Sequence, residues 1–187
     1  MFLKVNSASA LNLFRLSLIV SFILFAAAAR ILPHSWNFTP IGAMAIFSGA
    51  KLAKKWTAFL IPLTALFLGD LFVGFHALMF VVYLSFCLSV LIGRYLRDRQ
   101  TIANISVATL VGAVQFFLIT NCAIWAFGFT PYAKTLSGLF TCYVAGIPFF
   151  GNTLASDAFY AVVLFGGFAL AERFALAVRA NDATLAA

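Results

Sequence analysis

The residues of this chain that could do chemistry are few. They are Asp70 and Asp157, His34 and His76, the amides Asn37, Asn121 and Asn152, and the indoles Trp36 and Trp125. Everything around them is apolar: the chain is 64% hydrophobic and only 9% charged. A carboxylate in such surroundings is expensive, so it faces a cavity, pairs with a partner, or does both. Carboxylates and imidazoles can orient a polar ligand or move protons, and two of each can hold a divalent metal. Indoles can stack on the flat part of a ligand.

Spacing narrows these options. His76 follows Asp70 by six positions, which on a straight helix points them to different sides; Gly74 between them would break the helix and let them meet. No HExxH-like spacing, no nucleophile and base at helical spacing, and no phosphate-cradling glycine loop is present. Cys87, Cys122 and Cys142 make neither a CxxC pair nor a zinc pattern. They are expected to be packed free thiols, and spacing lends no support to a Cys122–Cys142 bridge. The expectation is therefore a binding protein with no catalytic residue, metal or cofactor, rather than an enzyme.

The elements that must position these residues are membrane helices. A soluble domain carries about 25% charged residues, and several apolar runs here approach the roughly 20 residues that cross a bilayer. The runs are 13–29, 39–52, 56–75, 77–93, 102–127 and 151–171. They predict an all-α membrane protein of about six transmembrane helices in one bundle. Residues 1–173 form its single domain and 174–187 a flexible tail. Run 13–29 also resembles a cleavable signal, with Lys4 before it, Arg15 near its start and four alanines closing it. It leads directly into the polar segment at 32–40, so it is read as retained.

The run at 39–52 is short and rich in small residues, which predicts a tilted or re-entrant helix shielded by protein. Ser85, Ser89 and Gly93, four apart, predict a close helix–helix approach. Gln115 in mid-span predicts an interhelical hydrogen bond. Turn residues over 128–150 predict a longer connection, with a short interfacial helix at 136–144.

Six spans place Lys4, Arg15, Lys51, Lys54, Lys55, Arg94, Arg97, Arg99, Arg173 and Arg179 on one side, and only Arg30 and Lys134 on the other. The basic side is expected to be cytoplasmic, with both termini. A net charge of +7 is then a topology signal, and nucleic acid is not an expected partner. On this map His34, Trp36, Asn37, Asp70, His76, Asn121, Trp125, Asn152 and Asp157 all gather in the outer half. They are the candidate ligand-binding residues, with the irregular 32–40 segment as roof and gate.

The same residues carry a resemblance. Leu32-Pro33-His34, Asn37-Phe38-Thr39-Pro40-Ile41-Gly42-Ala43, Asp70 with Gly74-Phe75-His76, Asn121 with Trp125, Tyr143 with Gly146-Ile147-Pro148, and Asn152-Thr153-Leu154 form a pattern. It resembles an uncharacterised family of small bacterial inner-membrane proteins, one that carries no activity to transfer. In size and topology the chain is also similar to the substrate-binding S components of energy-coupling-factor vitamin transporters. That second likeness implies a pocket open to the periplasm, a vitamin-class ligand and an energising transporter module as partner. The AxxxA contact for such a module has no clear match on the first helix. Some S-component-like proteins act alone on cobalamin through a cysteine; Cys122 would be the candidate here. Two other readings stand beside uptake. One is an intramembrane enzyme using the acids and histidines, with or without a metal. The other is an assembly protein, self-associating or not, whose polar residues only tie helices together.

Overall fold

The computed structural model describes residues 37–185 without a break, and eight positions between 13 and 28. Those eight positions are helical and exposed. The structure from residue 37 onward is α1 (Ile41–Lys51), α2 (Lys55–Val73), α3 (Met79–Leu96), α4 (Ile102–Phe127) and α5 (Leu136–Ala161). The last continues through a π-helical turn (Val162–Gly166) into α6 (Gly167–Leu185). No strand occurs among the described residues.

Four rods are long and apolar enough to cross a membrane: α2, α3, α4, and the continuous α5–α6 rod. The expected six spans are thus not met among the described residues. The run at 39–52 is one reason. It forms α1, whose 11 residues rise only about 16 Å, against about 30 Å of bilayer hydrocarbon. The other reason is that most of run 13–29 lies outside the described residues.

Helix α1 is the centre of the bundle. Every residue from Ile41 to Ala50 is buried, as expected of a helix that is apolar all round. Its neighbours come close because glycines meet backbone. A Cβ on Gly93 of α3 would lie 2.1 Å from the Ile46 carbonyl oxygen, and one on Gly49 would lie 2.2 Å from that of Val90. Ser85 and Ser89 are buried on the same α3 stripe. The predicted small-residue seam is therefore the α1–α3 contact. On the opposite side Phe47 is held edge-on by Phe165 and Phe168, at 5.2 and 5.7 Å.

A buried helix must have its backbone ends satisfied from elsewhere. At the C-terminal end of α1, Arg94 and Arg97 donate to the carbonyls of Leu52 and Ala53, and Gln100 donates to that of Ala50. Cations at this end also suit the helix dipole. Helix α2 has a related problem. Pro62 lacks the N–H that would bond the Ala58 carbonyl. Ser48 Oγ of α1 lies 2.9 Å from that carbonyl and 2.9 Å from the Ala45 carbonyl of its own helix, and shares its proton between them.

The expected long connection at 128–150 is not seen. The turn covers only residues 128–135, and α5 runs unbroken through Gly146 and Pro148. The turn closes on Gly128 at φ 75, where a left-handed residue ends α4. Packing explains why helix-breaking residues are accommodated. Gly146 leaves room for Asn121 of α4, whose Oδ1 would sit 2.6 Å from an added Cβ. Phe117 packs on Tyr143 and Phe150, at 5.6 and 4.9 Å. The segment beyond 174, expected to be a tail, is helical as far as Leu185.

Candidate functional site

The shortness of α1 creates the site. Its C-terminal end is level with the basic ends of α3 and α4, so its N-terminus stops short of the other face of the bundle. The longer helices continue past it and enclose a cavity of about 460 Å³. The polar groups on its wall are Asn37, Thr39, His76, Ser89, Thr153 and Asp157; the apolar ones include Val73, Val82, Phe86 and Phe116.

Each polar group has a local cause. Asn37 holds φ 61, a left-handed conformation that asparagine tolerates better than most residues. The chain then turns inward, with Phe38 against Phe159 and Tyr160 and the Thr39 carbonyl accepting from Ser156 Oγ at 3.1 Å. Gly74, at φ 103, ends α2 and bonds back to the Asp70 carbonyl. The following loop brings His76 to the mouth, where it is exposed. The aromatic wall is Phe86 stacked on Phe116, with centroids 5.1 Å apart.

Asp157 is only 3% exposed and meets the N-terminus of α1. Its Oδ1 accepts from the Ala43 N–H at 3.0 Å. Pro40, at the N-cap position, makes no side-chain cap, so a carboxylate from another helix does the capping. An anion at that position also meets the positive end of the helix dipole. Gly42 must be bare for this to happen. A Cβ there would lie 2.3 and 2.6 Å from the two carboxylate oxygens. The central helix is therefore held at one end by a carboxylate and at the other by guanidinium groups.

Of the predicted site residues, Asn37, His76 and Asp157 line the cavity. Asp70 is buried at the same end of the bundle, where its Oδ2 accepts from Tyr83 Oη at 2.9 Å, but it does not line the cavity. Gly74 does break α2 as expected, yet Asp70 and His76 are not joined by a hydrogen bond. Asn121 and Trp125 are also off the cavity. Asn121 donates to the Phe117 carbonyl of its own helix. Trp125 Nε1 donates to the Ala133 carbonyl at 2.8 Å, while Lys134 donates to the Trp125 carbonyl and lies over the indole ring. These two residues fasten the α4–α5 hairpin. Asn152 is half-buried beside the wall, and its neighbour Thr153 takes the lining position. His34 and Trp36 lie outside the described residues.

Sequence reasoning missed Thr39, Ser89, Thr153 and the Phe86–Phe116 pair. Thr153 was findable: it stands four before Asp157 and so shares its helix face. Gln115, expected as an interhelical tie, does bridge α4 to α3. Its Nε2 donates to the Ser85 carbonyl and to Ser89 Oγ, both at 3.0 Å. Its Oε1 is buried without a partner among the described residues. No group of three or more His, Cys, Asp or Glu close enough to hold a metal occurs among the described residues. Cys142 is buried with its thiol toward the Asn121 carbonyl, and Cys122 is exposed and off the cavity wall.

Compared with known proteins, the chain matches the model of a family of unknown function, DUF6580, over residues 11–179. It belongs to that family. No curated protein and no solved structure matches it. What this family member does has to be read from its own cavity.

Proposed function

We propose that this protein is an inner-membrane binding or uptake protein for a small water-soluble organic ligand of the vitamin or micronutrient class. The observation that carries the reading is the cavity. It combines a carboxylate, an imidazole, an amide and hydroxyls with a stacked aromatic wall, which is the make-up of a ligand pocket. Its volume of about 460 Å³ lies in the lower part of the range for such sites, roughly 300–1,000 Å³. A compact vitamin suits it better than cobalamin, and Cys122 is not placed to reach a metal within it. The likeness to S components rests on size and an expected six-helix topology, and six spans are not met among the described residues.

Orientation follows from charge. Lys54, Lys55, Arg94, Arg97, Arg99 and Arg173 lie at the end opposite the cavity, and Lys134 lies at the hairpin turn on the cavity side. By the positive-inside rule the basic end is cytoplasmic, so the cavity opens to the periplasm. On that orientation, the change of sides at α1 survives even though α1 is too short to span, and both termini come to the cytoplasmic side.

A second reading is favoured by the Ala43–Asp157 bond: the carboxylate is a structural cap and the chain is an assembly protein. The two readings differ at the cavity wall. Native mass spectrometry of protein purified in mild detergent tests this by looking for a co-purified small molecule. His76→Ala and Thr153→Trp, the second of which fills the cavity, should each lower its retention at least several-fold. Full retention by both variants would reject the pocket.

A further inference from the structure

At the basic end of the bundle α3 and α4 flank a second hollow, a groove of about 570 Å³. Leu91 and Ile92 of α3 face Val107 and Val111 of α4 along it, and its polar end holds Arg99 and Tyr95. The walls are open to the surroundings: Tyr95 is 80% exposed and Val107 is 59% exposed. From Asn104 to Val111, both of which line the groove, helix α4 rises about 10 Å, most of the roughly 15 Å hydrocarbon depth of one leaflet. The groove thus runs from the basic end of the bundle toward mid-bilayer.

The arginines at this end are not equivalent. Arg94 and Arg97 are turned inward onto the carbonyls that follow α1. Arg99 is anchored by its backbone instead, its carbonyl accepting from Asn104 Nδ2 of α4 at 2.8 Å. Its guanidinium makes no hydrogen bond or ion pair among the described residues, and Arg99 lines the groove together with Tyr95 and Asn104. A planar cation above an apolar slot matches an acidic phosphate carrying an alkyl chain, because guanidinium binds phosphate oxygens in pairs. Tyr95, which also lines the groove, adds a hydroxyl donor.

We propose that this groove is a binding site for an anionic phospholipid of the cytoplasmic leaflet. The phosphate sits on Arg99 and Tyr95, and one acyl chain lies between α3 and α4. The site is separate from the ligand cavity. It rests on the protein's residence in a membrane with its basic end cytoplasmic, not on a ligand in the cavity, so it stands or falls independently of the uptake reading.

The test uses the full-length protein, delipidated in mild detergent and titrated with phosphatidylglycerol or phosphatidylcholine of identical chains, with bound lipid counted by native mass spectrometry. Phosphatidylglycerol should bind about fivefold more tightly, the scale expected of one basic contact. Arg99→Ala should abolish that preference, Arg99→Lys should retain part of it, and Arg173→Ala, outside the groove, should leave it intact. Val107→Trp should weaken both lipids. Equal binding of the two lipids by the unaltered protein would overturn the proposal, as would an equal effect of Arg173→Ala and Arg99→Ala. Displacement of phosphatidylglycerol by millimolar inorganic phosphate would also overturn it, by showing that the guanidinium serves a soluble anion.

Discussion

Replacing Gly42 by alanine isolates the interaction on which the cavity is built. In an ordinary helix this change stabilises by about 0.5–1 kcal/mol, because glycine has more freedom to lose on folding. Here the new methyl would lie 2.3 Å from Asp157 Oδ1 and 2.6 Å from Oδ2. Carbon–oxygen contacts settle near about 3.3 Å, so the carboxylate must retreat by about 1 Å. The Ala43 N–H bond, now 3.0 Å, would then open to about 4 Å and cease to be one. Losing a buried hydrogen bond to a charged group costs about 1.5–3 kcal/mol, and crowding a packed site costs about 1–3 kcal/mol. Less the helix-propensity term, Gly42→Ala should destabilise by about 2–5 kcal/mol. Asp157→Ala removes both the bond and the crowding. In that background Gly42→Ala should change sign and stabilise by about 0.5–1 kcal/mol. Unfolding of the four proteins by denaturing detergent, followed by circular dichroism, closes the double-mutant cycle. Equal costs of Gly42→Ala in the two backgrounds would refute the argument that these residues share one space.

Other outcomes follow from the same contacts. Ser48→Ala should cost about 1–3 kcal/mol by orphaning the Ala58 carbonyl, and far less in a Pro62→Ala background, where the helix supplies its own N–H; the same unfolding assay compares the two. Gly93→Ala drives a methyl against backbone rather than a side chain, 2.1 Å from the Ile46 oxygen, so folded yield in membranes should collapse. Tyr83→Phe leaves Asp70 short of a donor and should destabilise by about 1–3 kcal/mol while sparing ligand retention, since neither residue lines the cavity. In a variant lacking Cys87, Cys122 and Cys142, a membrane-impermeant maleimide applied from the periplasm should label Ala77→Cys and not Lys54→Cys. The reverse pattern would invert the orientation.

The sequence by itself determined that this is a helical membrane chain. The extents of α2, α3 and α4 were legible because long apolar runs bounded by arginine, lysine and glycine leave few other choices. The Ser85–Ser89–Gly93 seam and the Gln115 bridge were legible for a similar reason: small or amide residues at helical spacing have few other uses in lipid. Asp157 was legible as a cavity-wall residue because a carboxylate amid apolar residues must face a cavity or a partner, and Asn37 and His76 because they flank helix ends on the same side. Tertiary structure decided the rest. Gly146 and Pro148 signal a turn when read alone, yet in the structure Asn121 and Phe117 pack against Gly146 and α5 runs on through both. Asn121 and Trp125 share a helix face with each other, but which neighbour that face meets depends on how α4 lies along α5. The cavity itself is a difference in length between one short helix and its longer neighbours. The register that aligns their ends at one side is set by contacts between residues far apart in the chain, Asp157 with Ala43 and Arg97 with Ala53, and no local pattern encodes such pairings.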